Sequence, residues 1–313
     1  MIDSVDLRLS RFDAPKTDFL GETSKYFQFL TEQQNSLGEY RIFGTLGGLK
    51  VIVSKESVYV GKGSLCKWAL GDNFQTLDRL TTQRALECLA DTLHLPIDRA
   101  AVTRLDVGQN FLLKYPVEVY FNHLGEFGRA KRLPQPTGLY YQITTGQLVF
   151  YDKVKEQRQK RCAIPELYQG KNVLRYEIRY KHSVPRAFSA SEVTAASLYN
   201  ERFYWDAVSR WCKAYEAIKK INDITINFQA MTTKKDLYRM GLVALVEHVG
   251  GVGAFLEQLN EAQRAGTLTA KQKYDLREAA LSATGVEAPG ILTDCTIIQE
   301  LTGKVEQVKR CCR

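Results

Sequence analysis

Residues Asn172 to Lys181 read N-V-L-R-Y-E-I-R-Y-K. Leu174, Tyr176, Ile178 and Tyr180 alternate with Arg175, Glu177 and Arg179, so an extended chain places four apolar side chains on one face and three charged ones on the other. One face belongs to a core and the other to water, which an antiparallel sheet allows and a doubly covered parallel sheet does not. Upstream, T-R-L-D-V-G-Q-N-F from Thr103 to Phe111 repeats the pattern. Leu105, Val107 and Phe111 fall on one side, and Arg104, Asp106, Gly108 and Asn110 on the other.

Working outward, V-D-L-R-L, Y-R-I-F-G-T-L-G-G-L-K-V-I-V, S-V-Y-V-G, V-E-V-Y-F and G-L-Y-Y-Q-I-T-T-G-Q-L-V-F-Y-D carry the β-branched, aromatic and glycine punctuation of further strands. One helix is predicted among them, from Thr76 to Leu93, with Leu86, Leu89, Ala90 and Leu93 on a shared face. The expected class is α+β, a mainly antiparallel sheet with packed helices. The character changes near residue 187. S-A-S-E, Ser189 to Glu192, has the form of a capping box, and Phe203, Ala207, Val208, Trp211, Tyr215 and Ile218 recur at helical spacing. Further helices are expected from Lys234 to Glu247, from Val252, and from Thr269 to about Gly285, with a break at Gly250-Gly251. This divides the chain into residues 1–187 and a helical part, 188–313.

The chain has 313 residues, 44% hydrophobic and 25% charged, which excludes disorder, collagen and a membrane bundle. No apolar run approaches the roughly 18 residues of a membrane span, and the opening M-I-D-S-V-D-L-R-L-S-R-F-D lacks the form of a signal peptide, so a cytoplasmic protein is expected. Seven cysteines are scattered without a C-x-x-C pair, and are expected as mostly buried thiols rather than a disulfide or zinc framework. A net charge of +8 permits a polyanionic partner. G-K-G-S at Gly61 to Ser64 is too short for a phosphate-binding loop, and is read as a turn.

Three segments carry candidate chemistry. Asp106 and Glu177 each sit between basic residues on the polar face of a strand. If the strands share a sheet, the two carboxylates either converge on one divalent cation, Mg²⁺ or Mn²⁺, or form a solvated salt-bridged face. In Q-L-V-F-Y-D-K-V-K-E-Q-R-Q-K-R, Gln147 to Arg161, a strand ends at Tyr151 and a charged helix follows. Such a tyrosine is a candidate phosphoryl-transfer nucleophile, since neighbouring cations favour the phenolate; the alternative is a packed ring with a wetted hydroxyl.

Taken in order, the opening M-I-D-S-V-D-L-R-L, R-L-D at Arg104 to Asp106, F-Y-D-K-V-K-E at Phe150 to Glu156 and N-V-L-R-Y-E-I-R at Asn172 to Arg179 resemble the phage and plasmid replication initiators of the filamentous-phage gene II and gene X type. G-S-L-C-K-W-A-L-G-D-N-F-Q-T-L, Gly63 to Leu77, is similar to a signature of the Bacteroidetes branch of that family. The resemblance spans about residues 1 to 190 and implies a rolling-circle initiator. Such an enzyme nicks and rejoins one strand of single-stranded or supercoiled origin DNA through a 5′-phosphotyrosine, leaving a 3′-hydroxyl for a host polymerase, with a host helicase. It further implies Tyr151 as nucleophile with Lys153 beside it. Asp106, Glu177 and Glu156 would be metal ligands, and Arg104, Lys155, Arg158, Arg175 and Arg179 DNA contacts.

Two rivals stand beside this. A tyrosine recombinase needs an Arg-His-Arg set in a helical domain with a late tyrosine, whereas Tyr151 is mid-chain among strands. A non-catalytic DNA-binding protein needs only the basic residues. The four histidines are dispersed, so the paired-histidine strand of another nicking class is absent; His182 follows the Glu177 strand. The helical tail admits a helix-turn-helix, a homodimer interface or a packed bundle, and Tyr141 is the nearest second tyrosine.

Overall fold

The computed structural model describes residues 1–34, 36, 38–181, 183–221, 233–284 and 296–311. In it the alternating segments pair into one antiparallel sheet of ten strands: β1 (Ile2–Ser10), β2 (Gln28–Gln34), β3 (Tyr40–Leu46), β4 (Leu49–Ser54), β5 (Ser57–Gly61), β6 (Ala101–Leu113), β7 (Lys131–Gln135), β8 (Gly138–Ile143), β9 (Gly146–Asp152) and β10 (Asn172–Tyr180). Their order is β2-β3-β4-β5-β1-β6-β10-β9-β8-β7. The α+β class expected from the alternation is therefore what the chain forms. The centre, β1-β6-β10-β9, includes the two alternating strands from which the candidate carboxylates come, β6 and β10.

The helices are α1 (Phe19–Glu22), α2 (Leu65–Leu70), α3 (Arg79–Leu93), α4 (Val117–Asn122), α5 (Lys153–Gln159), α6 (Val184–Ala187), α7 (Glu201–Glu216), α8 (Lys234–His248), α9 (Val252–Arg264), α10 (Ala270–Thr284) and α11 (Thr296–Cys311). The core side of β6, β9 and β10 is covered by α7, through Phe111–Trp211, Phe150–Tyr215 and Tyr176–Trp211 ring contacts. Phe150 stacks on Tyr176 with ring centroids 4.3 Å apart, and the Trp211 ring lies 4.6 Å from Tyr176. Trp211 and Tyr176 also exchange hydrogen bonds, the Trp211 Nε1 donating to the Tyr176 carbonyl at 3.3 Å and the Tyr176 hydroxyl to the Trp211 carbonyl at 3.1 Å. Each aromatic thus keeps a polar partner while its ring is buried.

Three sequence expectations are corrected, and two edge strands are added. V-E-V-Y-F is helix α4 rather than a strand: Pro116 precedes it, and Val117, Tyr120 and Phe121 are buried at i, i+3 and i+4. The helix after Ser189 does not start at S-A-S-E. Ser189 is left-handed with φ 53°, Val102 donates its amide to the Val193 carbonyl at 2.8 Å, and α7 begins only after the Asn200 cap, which accepts from Phe203. Edge strands β2 and β7 carry no alternation to read, because β2 is exposed along its length and β7 holds no fully buried residue. Of the described cysteines, Cys66 and Cys212 are buried but Cys88 is exposed and Cys162 half-buried.

Two compact units result, Met1–Lys220 with Glu300–Arg313, and Ile221–Gln299. The strand-to-helix change falls near residue 187, while the sheet-bearing unit runs on through α7. From Glu300 onward α11 packs within that unit: Glu300 accepts from the Lys114 amide at 3.2 Å and from the Tyr120 hydroxyl, and Tyr215 meets Thr302 at 2.9 Å. In the second unit α8 and α9 meet at 86° across the Gly250-Gly251 break. No single described helix is long and apolar enough to cross a membrane.

Candidate active site

The register of the central strands brings the three motifs together. Glu177 lies opposite Gly108 on β6 and opposite Val149 on β9; Arg179 faces Asp106, and Arg175 faces both Asn110 and Tyr151. Because facing residues share a side of the sheet, Asp106, Glu177, Arg175, Arg179, Arg104 and Tyr151 all project from the polar face. Gly108 permits the tight approach. A Cβ there would stand 2.6 Å from the Glu177 Cγ and 2.9 Å from the Tyr176 carbonyl oxygen.

At the centre the Tyr151 hydroxyl donates to Glu177 Oε1 at 2.9 Å. Glu177, 1% exposed, also accepts from the Arg175 guanidinium, and at 2.7 Å from Arg179 Nε. Arg175 is fully buried, with Nη1 on Asn110 Oδ1 at 3.1 Å and on the Asn73 carbonyl at 3.3 Å, and Nη2 at 3.2 Å from the Asp3 carboxylate. Arg104 grips Asp106 with two N–H groups at 3.0 and 2.6 Å. Lys153, 0% exposed, opens α5 and pairs with Glu156 at 3.0 Å, and Glu156 also holds Lys160 and Gln157.

These neighbours set the proton affinities. Burial raises the Tyr151 phenol well above its ordinary value, and the Glu177 charge adds to this beyond what Arg175 takes back. In this arrangement burial outweighs the surrounding cations. Burial would also raise Glu177, but Arg175 and Arg179 outweigh it and hold the carboxyl far below the usual range. Asp106 goes the other way: burial first, then the Glu177 charge, push it up to about 6 despite Arg104. Lys153 is lowered by burial and by Arg175. Two carboxylates on one face thus have affinities driven apart, a pattern typical of functional sites.

The array includes Tyr151, Lys153, Asp106, Glu177, Glu156, Arg104, Arg175 and Arg179. It leaves out Lys155 and Arg158, which are exposed on α5; Lys155 is tied to Glu118 and lies 3.9 Å from Asp152. Tyr141 is excluded by the fold, being fully buried in the core with its hydroxyl on the Leu124 and Gly125 carbonyls at 3.1 and 2.7 Å. His182 lies outside the described residues. Sequence reasoning missed Asp3, 5% exposed, which accepts from the Ser64 hydroxyl at 2.7 Å and faces Arg175. Its signal was present in the opening M-I-D-S-V-D, an acid at the head of a central strand. It missed Asn73, which carries no charge, and placed Asn110 on the polar face without giving it a role.

The three expected metal ligands do not fit a metal in this arrangement. The oxygens of Asp106 and Glu177 are engaged by guanidiniums, and those of Glu156 by Lys153, Lys160 and Gln157. No group of three or more metal-ligating side chains forms among the described residues. What stands here is a carboxylate–guanidinium array around a tyrosine. Such an array can hold an anionic phosphodiester through Arg104 and Arg179, which remain partly exposed, and can accept a proton from the phenol.

Residues 1–202 match the family described as the N-terminal part of the replication-associated gene II protein of phages. No curated protein matches the chain.

Proposed function

The chain belongs to the family of the replication-associated phage gene II protein, N-terminal part, and on that premise we propose that it initiates rolling-circle replication by cutting one strand of origin DNA through Tyr151. The observation that carries this reading is the 2.9 Å hydrogen bond from the Tyr151 hydroxyl to Glu177, set among Arg175 and Arg179 on one sheet face with Lys153 of α5 beside the ring.

Tyr151 is 8% exposed, with the Arg179 Cζ 5.7 Å and the Lys153 Nζ 5.8 Å from its ring centroid. Lys153 is walled in, whereas Arg179 has solvent access, so Arg179 is the side chain that turns toward an arriving phosphate. Once Arg179 binds the phosphodiester, Glu177 loses one of the two cations that suppress its basicity and accepts the phenolic proton. The Tyr151 oxygen then bonds to phosphorus as the P–O3′ bond breaks. The products are a 5′-phosphotyrosine and a 3′-oxygen that takes up a proton and serves a host polymerase, with a host helicase opening the duplex. Arg104 and Arg179 neutralise the charge gathered on the phosphate. The phosphodiester is exchanged rather than hydrolysed, so rejoining needs no nucleotide.

The test mixes the protein with labelled single-stranded oligonucleotides tiled from its replicon, with Mn²⁺, Mg²⁺ or EDTA, and looks for an SDS-resistant adduct beside Tyr151→Phe. The burial of Tyr151 favours one second reading, a non-catalytic DNA-binding protein with a structural ion network. Tight binding without an adduct at any tile would establish that reading instead.

A further inference from the structure

The polar face does not end at the cluster around Tyr151. Across β3, β4, β5 and β1, Phe43 faces Ile52, Ile52 faces Tyr59, and Tyr59 faces Arg8. These four form a row running straight across the strands. Their counterparts on the other side, including Val51, Val53, Val58, Val60, Leu7 and Leu9, are buried, whereas Phe43, Ile52 and Tyr59 are only partly buried and Arg8 is exposed. An apolar and aromatic row left open on a sheet face is a docking surface rather than a core.

Its charge and rigidity specify the occupant. The Lys50 Nζ stands 5.5 Å from the Phe43 ring centroid, and Arg8 closes the far end. Asp6, the acid beside the row, is already used: it accepts from the Tyr59 hydroxyl at 2.6 Å and from the Lys62 amide at 2.9 Å. That bond also fixes the Tyr59 ring in place. The row is continuous with the site, since Asp6 faces Arg104, whose charge acts on Tyr59 and whose fork holds Asp106. Fixed aromatic rings interleaved with cations suit bases that stack while their phosphates are neutralised, whereas a duplex hides its base faces.

We propose that the open face of β3, β4, β5 and β1 is a platform on which single-stranded DNA lies as it leads to or from Tyr151, with bases on Phe43 and Tyr59 and phosphates on Lys50, Arg8 and Arg104. The direction toward Tyr151 rests on the nicking reading; the platform itself does not. Six strand steps separate β3 from β9 in the sheet order, so the path is on the order of 29 Å at about 4.8 Å per step. A few nucleotides of extended strand span it.

The test is fluorescence anisotropy of the full-length protein with labelled oligothymidylate of about twelve nucleotides. Phe43→Leu, which keeps apolar bulk but removes the ring, is expected to weaken binding roughly fivefold or more, and Phe43→Tyr to preserve it. Lys50→Gln should lower the slope of log affinity against log salt by about 0.7. A duplex of equal length should respond little to Phe43→Leu. Wild-type affinity in both Phe43→Leu and Lys50→Gln, or an equal loss on duplex, would overturn the platform. Tyr151→Phe separates the two readings, because it abolishes any adduct yet leaves oligothymidylate binding intact; failure of the adduct alone would sink the nicking reading only.

Discussion

Replacing Gly108 by alanine probes the geometry of the site without replacing a charged group. The added Cβ would lie 2.6 Å from the Glu177 Cγ and 2.9 Å from the Tyr176 carbonyl oxygen, whereas ordinary contact begins at 3.4 Å. Glu177 must therefore retreat by about 0.8 Å (3.4 minus 2.6), and β10 by about 0.5 Å (3.4 minus 2.9). Overpacking of this kind costs about 1–3 kcal/mol of stability. The larger effect falls on chemistry, because Glu177 holds the Tyr151 hydroxyl and a misplacement near 1 Å costs about a hundredfold in rate. Initial rates of adduct formation on a saturating origin oligonucleotide, with urea denaturation run in parallel, measure both. An alanine variant that forms adduct at the wild-type rate would refute the claim that the Gly108 approach positions Glu177 for Tyr151.

Three other outcomes are expected. Asp106 binds its proton more tightly folded, at about 6, than in the reference state at 3.8. Its contribution is thus present at low pH and lost as pH rises through 6, and urea unfolding should show roughly 1 kcal/mol less stability at pH 7 than at pH 5, a slope that Asp106→Asn removes. Glu177 acts in the opposite sense, but its contribution is complete above the usual carboxylate range. The DNA-free protein should show no stoichiometric Mn²⁺ binding by calorimetry, because the acidic oxygens of Asp106, Glu177 and Glu156 are already held by cations and Gln157; a saturable high-affinity site would contradict that account. A chain stopped after Lys220 loses the buried Leu301 and Val305 and the Glu300 partner of Tyr120. It should unfold with about 3–6 kcal/mol less stability, read from the urea midpoint.

Strands β6 and β10 were legible because apolar and polar residues alternate along them, so period two is written directly into Leu105-Val107 and Leu174-Tyr176-Ile178-Tyr180, even though the polar side is itself largely buried. Their polar faces were legible for the same reason, which is how Asp106, Glu177 and Tyr151 come to share one side. Helix α4 was misread because Val117, Val119 and Phe121 alternate as a strand would, and only the preceding Pro116 and the i, i+3, i+4 burial separate the two patterns. A salt-bridged face was legible as one alternative, but its specific partners and its burial were not. Alternation shows that Arg175 and Glu177 lie on one face, but not that Arg175 is sealed between Glu177 and Asp3, a residue about 170 positions away. Nor does sequence show the balance of burial against charge that raises Tyr151.

The most direct test is to digest the protein–DNA adduct and identify by mass spectrometry the peptide that carries the 5′-nucleotide, with Tyr151→Phe alongside. The account predicts that Tyr151 bears the nucleotide and that the phenylalanine variant binds the oligonucleotide but forms no adduct. A nucleotide on any other residue, or an adduct that persists in Tyr151→Phe, would contradict it.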